Sequence, residues 1–480
     1  MIRDKKISFP KGWPIVVAIL IGLFAALPLL RGIPDGADTL LHFYRTVQLN
    51  RLLDEGILFT PWAPDLAYGF GYPIFNYYAP LSYYLASSLT LLGIDVVVAF
   101  QAIFVLAFIF SSLFMFLWVR DLFADTAALI AAAIYAMSPY LMVDAVSRGA
   151  LAELLALSIL PGILWSARRF IASGSWVYGL AGLLGYAAVI LAHNITALVF
   201  TLILAGYIVV ISFARYRSAG TAPHDSKAQT AVALWLLLLG LALSAFFWIP
   251  ALFERNLVQI EQVIGPSDFN FENNFVPLSR LIALPFSTDL NLINRDVPIA
   301  LSLVAVILGV VGLLSFRRYR DQPEKMGQVI YAGLVLLGSL FLTLSISSRI
   351  WEAIPLLQFL QFPWRFLGLA SLFLAFLSGA GAETLMGLEF KRINLRVVIP
   401  AVLIAAAALY ILPWQFTTYN KPPPDGSLAG LSDFEQQSGY LGTTSTGEYL
   451  PIRVQELPSR SDFDPITEGL GLRNGSLPSG

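Results

Sequence analysis

The chain has 480 residues, of which 57% are hydrophobic and only 13% charged, and its formal net charge is −1. An ordinary soluble domain carries roughly 25% charged residues, so this composition excludes a water-soluble globule, and near-neutrality gives no basic field for nucleic acid. Cysteine is absent, which excludes disulfides, thiolate metal sites and a cysteine nucleophile without assigning a redox compartment.

Arg3, Lys5, Lys6 and Lys11 precede the uncharged run Trp13–Leu30. That run is longer than a signal-peptide core, and Leu29-Leu30-Arg31 lacks the small residues of a cleavage site, so the pattern predicts a retained first span. Further apolar stretches follow at 97–119, 126–143, 153–167, 176–192, 195–214, 229–250, 297–316, 328–347, 364–386 and 397–414. Uncharged runs of about 20 residues match a hydrocarbon core roughly 30 Å thick. The chain therefore reads as an all-α polytopic membrane protein.

Tyr77–Gly93 decides the topology. Basic clusters lie at Arg168-Arg169, Arg215/Arg217, Arg317-Arg318/Arg320 and Lys391-Arg392/Arg396. If 77–93 crossed the bilayer, these clusters would fall on the side opposite the basic N-terminus. If it lies at the interface, all five face the cytoplasm, as the positive-inside rule requires. Its tyrosines (Tyr77, Tyr78, Tyr83, Tyr84) suit an interfacial belt. The reading is thus about 11 transmembrane helices, with a cytoplasmic N-terminus and an extracytoplasmic C-terminus. It divides the chain into a transmembrane domain over 1–414, with long outer loops at 31–96 and 251–296, and an extracytoplasmic tail over 415–480. At roughly 65 residues the tail is marginal for a core of its own. It either packs on the membrane domain or begins a larger domain. No internal repeat suggests an inverted-repeat transporter.

The first outer loop contains Asp35-Gly-Ala-Asp38-Thr-Leu-Leu-His42-Phe-Tyr-Arg45. A helix begins at Asp38, a plausible N-cap, and residues 38, 42 and 45 share one face, opposite Leu40, Phe43, Tyr44 and Val47. Such a helix on the outer surface presents Asp38, His42 and Arg45 together. A carboxylate there can act as general base toward a sugar hydroxyl. The plainer reading is a helix cap and a polar surface histidine. The next outer loop holds Asp144-Ala-Val-Ser-Arg148-Gly-Ala-Leu-Ala-Glu153. Its charges are either snorkelling anchors, or a phosphate-binding arginine with a glutamate that holds a metal or orients an acceptor. Arg365, within Gln361-Phe-Pro-Trp-Arg365, is an interfacial anchor or a phosphate ligand. His193 at another outer helix end reads as a polar cap or a site residue. The three histidines, His42, His193 and His224, make no metal triad, because the topology places His224 on the cytoplasmic side. Walker-type loops and GxSxG elbows are missing.

The motifs Gly36-Ala-Asp38-Thr-Leu-Leu-His42, Tyr68–Tyr84, Ser147–Glu153, Ala192–Leu198, Gln361–Arg365 and Gly442–Pro451 resemble bacterial membrane proteins of the "6-pyruvoyl-tetrahydropterin synthase-related" group. The layout more distantly resembles the GT-C superfamily of glycosyltransferases. The group's label does not imply a pterin synthase, a small soluble zinc enzyme, because no comparable histidine cluster exists here. The GT-C resemblance implies a first span, a long outer loop with juxtamembrane helices and an acidic motif, and a second acidic position between the third and fourth spans. Asp38 matches the first position, and Arg148 with Glu153 the second. Many GT-C members have two adjacent acids where this chain has Asp38-Thr39. This departure leaves metal dependence open: no cofactor is assigned, and Asp35, Asp38 and Glu153 are the candidate ligands if a divalent cation binds.

The resemblance further implies inverting transfer of a sugar from a polyprenyl-phosphate donor, in a prokaryotic plasma membrane, to a glycan, lipid or protein acceptor on the outer face. Asp38 and Glu153 would be catalytic, with Asp38 the base. Arg148 and Arg365, with Arg45, would neutralise the leaving phosphate, and His42 and His193 would line the substrate site. Two other readings remain. One is a transporter or flippase of a lipid-linked glycan, which calls for ionisable residues deep inside spans. The other is a non-catalytic scaffold subunit docking through its tail.

Overall fold

The computed structural model of the chain describes residues 12–219, 223–260, 269–283, 300–387, 395–416 and 419–456. Residues 261–268 and 284–296 of the second long loop, the Lys391-Arg392 pair and the end of the tail lie outside these residues, as does the side chain of His224. The regular structure of the described residues is helical apart from isolated bridges and one two-residue parallel strand pair, Ile282–Ala283 with Leu301–Ser302.

The helices that position the site are Trp13–Ala25 (α1), Thr39–Asp54 (α2), Leu81–Thr90 (α3), Val96–Arg120 (α4), Asp125–Ala136 (α5), Leu151–Ser173 (α6), Trp176–Ala192 (α7) and Asn194–Ala219 (α8). Further along come Leu303–Leu314 (α9), Pro323–Thr343 (α10), Phe366–Met386 (α11) and Leu428–Ser438 (α12). Their ends follow local chemistry. Asp95 accepts hydrogen bonds from the N–H groups of Val97 and Val98 to open α4, Pro323 occupies the first turn of α10, and left-handed Gly174 closes α6. Pro161 inside α6 cannot donate to the Leu157 carbonyl one turn back. The Tyr135 hydroxyl donates to that carbonyl instead, at 2.8 Å. A buried backbone acceptor is thereby satisfied where no water is available.

Among the described residues, five helices are long and apolar enough to cross a bilayer, and up to seven if each of two bent pairs is one span. The expected spans at 13–30, 176–192, 297–316 and 397–414 coincide with helices of fewer than 18 residues, so length and composition do not support the count of eleven. The helix α3, at ten residues, is about 15 Å long and too short to cross.

The core is built around α11, which is buried without interruption from Phe366 to Ala382. Small residues let its backbone touch that of α9. A Cβ on Gly312 would stand 1.9 Å from the Leu377 carbonyl oxygen, and one on Gly381 would stand 2.1 Å from that of Leu308. Close approach of this kind substitutes for a hydrophobic driving force that is absent between helices in lipid.

Residues 419–456 fold onto the first loop. Asn420 N–H donates to the Ile33 carbonyl at 3.0 Å, Phe434 stacks on Tyr44, and Tyr449 stacks on Tyr77. Glu435, fully buried, accepts from the backbone N–H groups of Ala67, Tyr68 and Gly442 at 2.8–2.9 Å. This covering layer changes the character of α2. Its residues 41–49 are buried on every face, so it is not the half-exposed surface helix that its residue spacing predicts.

Candidate functional site

Two glycine-containing turns bring the site together. The segment 137–150 bends by 42° after α5 and winds through a π-helical turn over Val143–Arg148, ending at left-handed Gly149. Turns of this kind recur at functional sites because they push a side chain out of the regular helical path. The loop before α2 lies directly against this turn. Ala37 N–H donates to the Ser147 carbonyl at 3.1 Å, and Asp38 N–H to the Arg148 carbonyl at 2.6 Å. A Cβ on Gly36 would meet the Gly149 nitrogen at 2.8 Å, and one on Gly149 would meet Thr39 Oγ1 at 1.8 Å. Larger residues at either position would pry the two turns apart.

Arg148 is the hub. It pairs through Nη1 with Asp144 and, at 2.8 Å, with Glu153 Oε2, while Nη2 stands 3.8 Å from Asp38 Oδ2. Its guanidinium lies 4.7 Å over the Trp364 ring. The Tyr140 hydroxyl donates to Glu153 Oε1 at 2.6 Å. Arg365 Nε approaches Glu153 Oε2 at 3.6 Å, and Arg365 Nη1 donates to the Leu360 carbonyl at 2.8 Å. Three carboxylates and two guanidiniums thus form one cluster. The side chains of Asp144 and Glu153 are 1% and 3% exposed, whereas that of Asp38 is 40% exposed. Only the Asp38 carboxylate both touches the cluster and reaches its open side.

Asp38 occupies the N-cap position of α2, yet its side chain makes no capping hydrogen bond. The capping reading is therefore corrected: the carboxylate turns toward Arg148. Asp35 is exposed and has no ion pair within 4.0 Å to a described basic side chain. The expected grouping of His42 and Arg45 with Asp38 is corrected as well. Arg45 donates to Thr443 Oγ1 at 3.1 Å, to the Thr443 carbonyl at 2.6 Å and to the Tyr83 hydroxyl at 3.1 Å, with its guanidinium 4.0 Å over Tyr78. His42 Nδ1 lies 2.7 Å from the same Tyr83 hydroxyl. Burial pushes the His42 imidazole well below its ordinary pKa, and the charges of Arg45, His193 and Arg148 add to that. The two residues thus belong to a tail-anchoring cluster next to the site. His193 Nδ1 accepts from the Thr196 N–H at 3.3 Å and contacts the Thr196 hydroxyl at 2.8 Å, which makes it a helix cap.

Tyr83 and Tyr77 are buried and hydrogen-bonded inside the protein, not ranged along an interfacial belt. Tyr78 lies between the two clusters, where burial raises its phenol and the charges of Arg45, Asp38 and Arg365 all act on it. Tyr140, Trp364 and Thr443 have no signal in the sequence beyond their place in or beside the motifs. Among the described residues, no group of three or more His, Asp or Glu side chains could hold a metal ion. Asp144 and Glu153 are bound to Arg148, so a cation there would have to displace the guanidinium. The residues present do not fit a divalent metal.

The sequence model of the 6-pyruvoyl-tetrahydropterin synthase related domain, a membrane-protein family, matches residues 75–416. No curated protein sequence matches significantly. Among solved structures, the chain resembles the archaeal oligosaccharyltransferase AglB from Archaeoglobus fulgidus in complex with an inhibitory peptide and a dolichol-phosphate. That match has a TM-score of 0.52 and 15% identity, over 92% of this chain and 61% of that one. The apo form of the Archaeoglobus fulgidus oligosaccharyltransferase matches at a TM-score of 0.52 and 13% identity, over 93% and 62%. The fold is therefore of the GT-C type, and the chain spans about three fifths of the length of these structures.

Proposed function

The chain belongs to the 6-pyruvoyl-tetrahydropterin synthase related family of membrane proteins, and from that premise we propose that it is a GT-C glycosyltransferase drawing on a polyprenyl-phosphate-linked sugar. The observation that carries this reading is the meeting of an accessible carboxylate, Asp38, with Arg148, while Glu153 links Arg148 to Arg365. The resemblance to AglB, solved with a dolichol-phosphate, supports a lipid phosphate as the group these arginines meet.

In this mechanism the Asp38 carboxylate takes the proton of the acceptor hydroxyl as its oxygen attacks the anomeric carbon. The bond from that carbon to the donor phosphate breaks on the opposite face, and the phosphate leaves with the electron pair, so the configuration inverts. Arg148 and Arg365 stabilise the departing phosphate, the larger electrostatic contribution in such a reaction. Buried Glu153 and Asp144 hold Arg148 in position. The site opens toward the extracytoplasmic face, and the lipid tail lies between the spans.

The test uses the full chain in nanodiscs with a panel of polyprenyl-phosphate hexoses and a mixture of glycan, lipid and protein acceptors, following release of polyprenyl phosphate. The wild type releases it with at least one donor. Asp38→Asn retains binding of polyprenyl phosphate but loses release by a factor on the order of 10²–10⁴. Equal release by wild type and Asp38→Asn sinks the proposed role of Asp38. Movement of intact lipid-linked sugar across the bilayer without release would favour a flippase.

A further inference from the structure

At the end of the bundle opposite Asp38, a cavity of about 550 Å³ is lined by Arg120, Asp121, Trp165, Arg168 and Arg169, with Leu117 and Ala172 as apolar wall. Glu153 and Arg168 lie on the same helix, α6, about 22 Å apart along its axis, so the cavity is remote from the site described above. Arg168 donates to Asp121 at 2.9 Å and lies 2.7 Å from Glu324, while Arg169 Nε lies 2.6 Å from Asp121 Oδ2. Arg120 Nε lies 3.4 Å from Asp125, and Arg215 shares Glu324 at 3.2 Å. Four arginines thus face three carboxylates, and within the cavity itself three arginines face Asp121 alone. Trp165 adds an indole N–H that is buried without a hydrogen-bond partner.

We propose that this cavity binds the phosphate group of an anionic ligand, with Arg120 and Arg169 as its principal contacts and the Trp165 indole N–H as a further donor. Arg168 is 11% exposed and committed to two carboxylates, so it sets the field. Arg120 and Arg169 are 34% and 41% exposed and can turn toward a ligand. Guanidinium forks match pairs of phosphate oxygens. Basic pockets between spans at the headgroup level are suited to anionic lipid heads, and the apolar wall of Leu117 and Ala172 suits the start of an acyl chain. Lipid headgroup and soluble phosphate share this chemistry.

The experiment measures the apparent melting temperature of the full chain in nanodiscs of phosphatidylcholine alone, of phosphatidylcholine with phosphatidylglycerol, and of phosphatidylcholine with added inorganic phosphate. The Arg120→Ala/Arg169→Ala variant is compared with wild type, and Arg217→Ala serves as control for a basic residue at the same end outside the cavity. Phosphatidylglycerol raises the melting temperature of the wild type and of Arg217→Ala. The double variant requires on the order of ten-fold more of it for the same shift. A shift with phosphatidylglycerol alone identifies the lipid headgroup, and an equal shift with inorganic phosphate identifies the soluble ion. An anion response that is unchanged in the double variant, or equally reduced in Arg217→Ala, overturns the site. A well-folded Trp165→Phe variant provides the second check, because it removes the N–H and keeps the ring. It weakens the response without lowering the melting temperature in phosphatidylcholine, and an unaltered response removes the indole from the proposal.

Discussion

The Asp38 carboxylate stands 3.8 Å from the Arg148 guanidinium while the Asp38 backbone N–H donates to the Arg148 carbonyl at 2.6 Å. The pairing is thus held twice, once by main chain and once by side chain. Because the Asp38 side chain makes no cap, Asp38→Asn leaves the apparent melting temperature within about a degree or two of wild type, a ΔΔG inside roughly ±0.5 kcal/mol. A drop comparable to a lost N-cap, about 1 kcal/mol, would show that the carboxylate serves the helix after all.

Glu153→Gln is expected to be more destabilising than Tyr140→Phe. The glutamine keeps an acceptor for the Tyr140 hydroxyl but removes the charge that faces Arg148 and Arg365. Breaking a buried ion pair costs about 3–5 kcal/mol, whereas one lost hydrogen bond to a charged group costs about 1.5–3 kcal/mol. Thermal unfolding of both variants in the same detergent checks the order.

Gly149→Ala should separate the two turns. Its φ of 65° is left-handed, which costs a side-chain-bearing residue roughly 1–2 kcal/mol, and the new Cβ would overlap Thr39 Oγ1. Displacing Asp38 by about 1 Å is expected to cost on the order of 10² in rate. The Thr39 hydroxyl is itself buried without a partner, so Thr39→Ala alone is neutral or mildly stabilising, and combined with Gly149→Ala it restores part of the rate.

Stability is expected to fall on acidification. The pKa of His42 in the folded protein lies well below its unfolded value of about 6.5. The unfolded state therefore binds the extra proton first, and the contribution of neutral His42 is fully present above about pH 6.5 and lost as pH falls toward the folded pKa. Melting temperature measured against pH in wild type and His42→Gln reads this directly. The slope below pH 6.5 flattens in the variant, and an unchanged slope would assign the effect to other groups.

Arg45→Ala should loosen the tail. Arg45 holds Thr443 by two hydrogen bonds, and hydrogen bonds to a charged group contribute roughly 1.5–3 kcal/mol. Hydrogen exchange over 428–444 accelerates in the variant while exchange within Phe366–Met386 is unchanged. Equal acceleration in both regions would mean global destabilisation.

The membrane class and the helical segments were readable from the sequence because hydrocarbon thickness and the periodicity of a helix act on neighbouring residues. The same holds for the motifs around Asp38, Arg148, Glu153 and Arg365, whose polar residues stand out against apolar runs. Their convergence could be expected only through resemblance, because none of these motifs encodes its distance from the others.

Tertiary structure decided the rest. Asp38, His42 and Arg45 share a helical face, yet Arg148 draws away the first while Tyr83 and Thr443 hold the other two. Spacing fixes where a side chain starts, and the partners that arrive from distant segments fix where it ends. Asp144 and Tyr140 joined the cluster because a π-helical turn aims the end of a bent helix at α6. The tail buried α2 through contacts that link residues hundreds of positions apart. A bilayer imposes segment length locally, but helix crossings are set by which small residues let backbones meet, as Gly312 and Gly381 do, and that depends on the whole packed bundle.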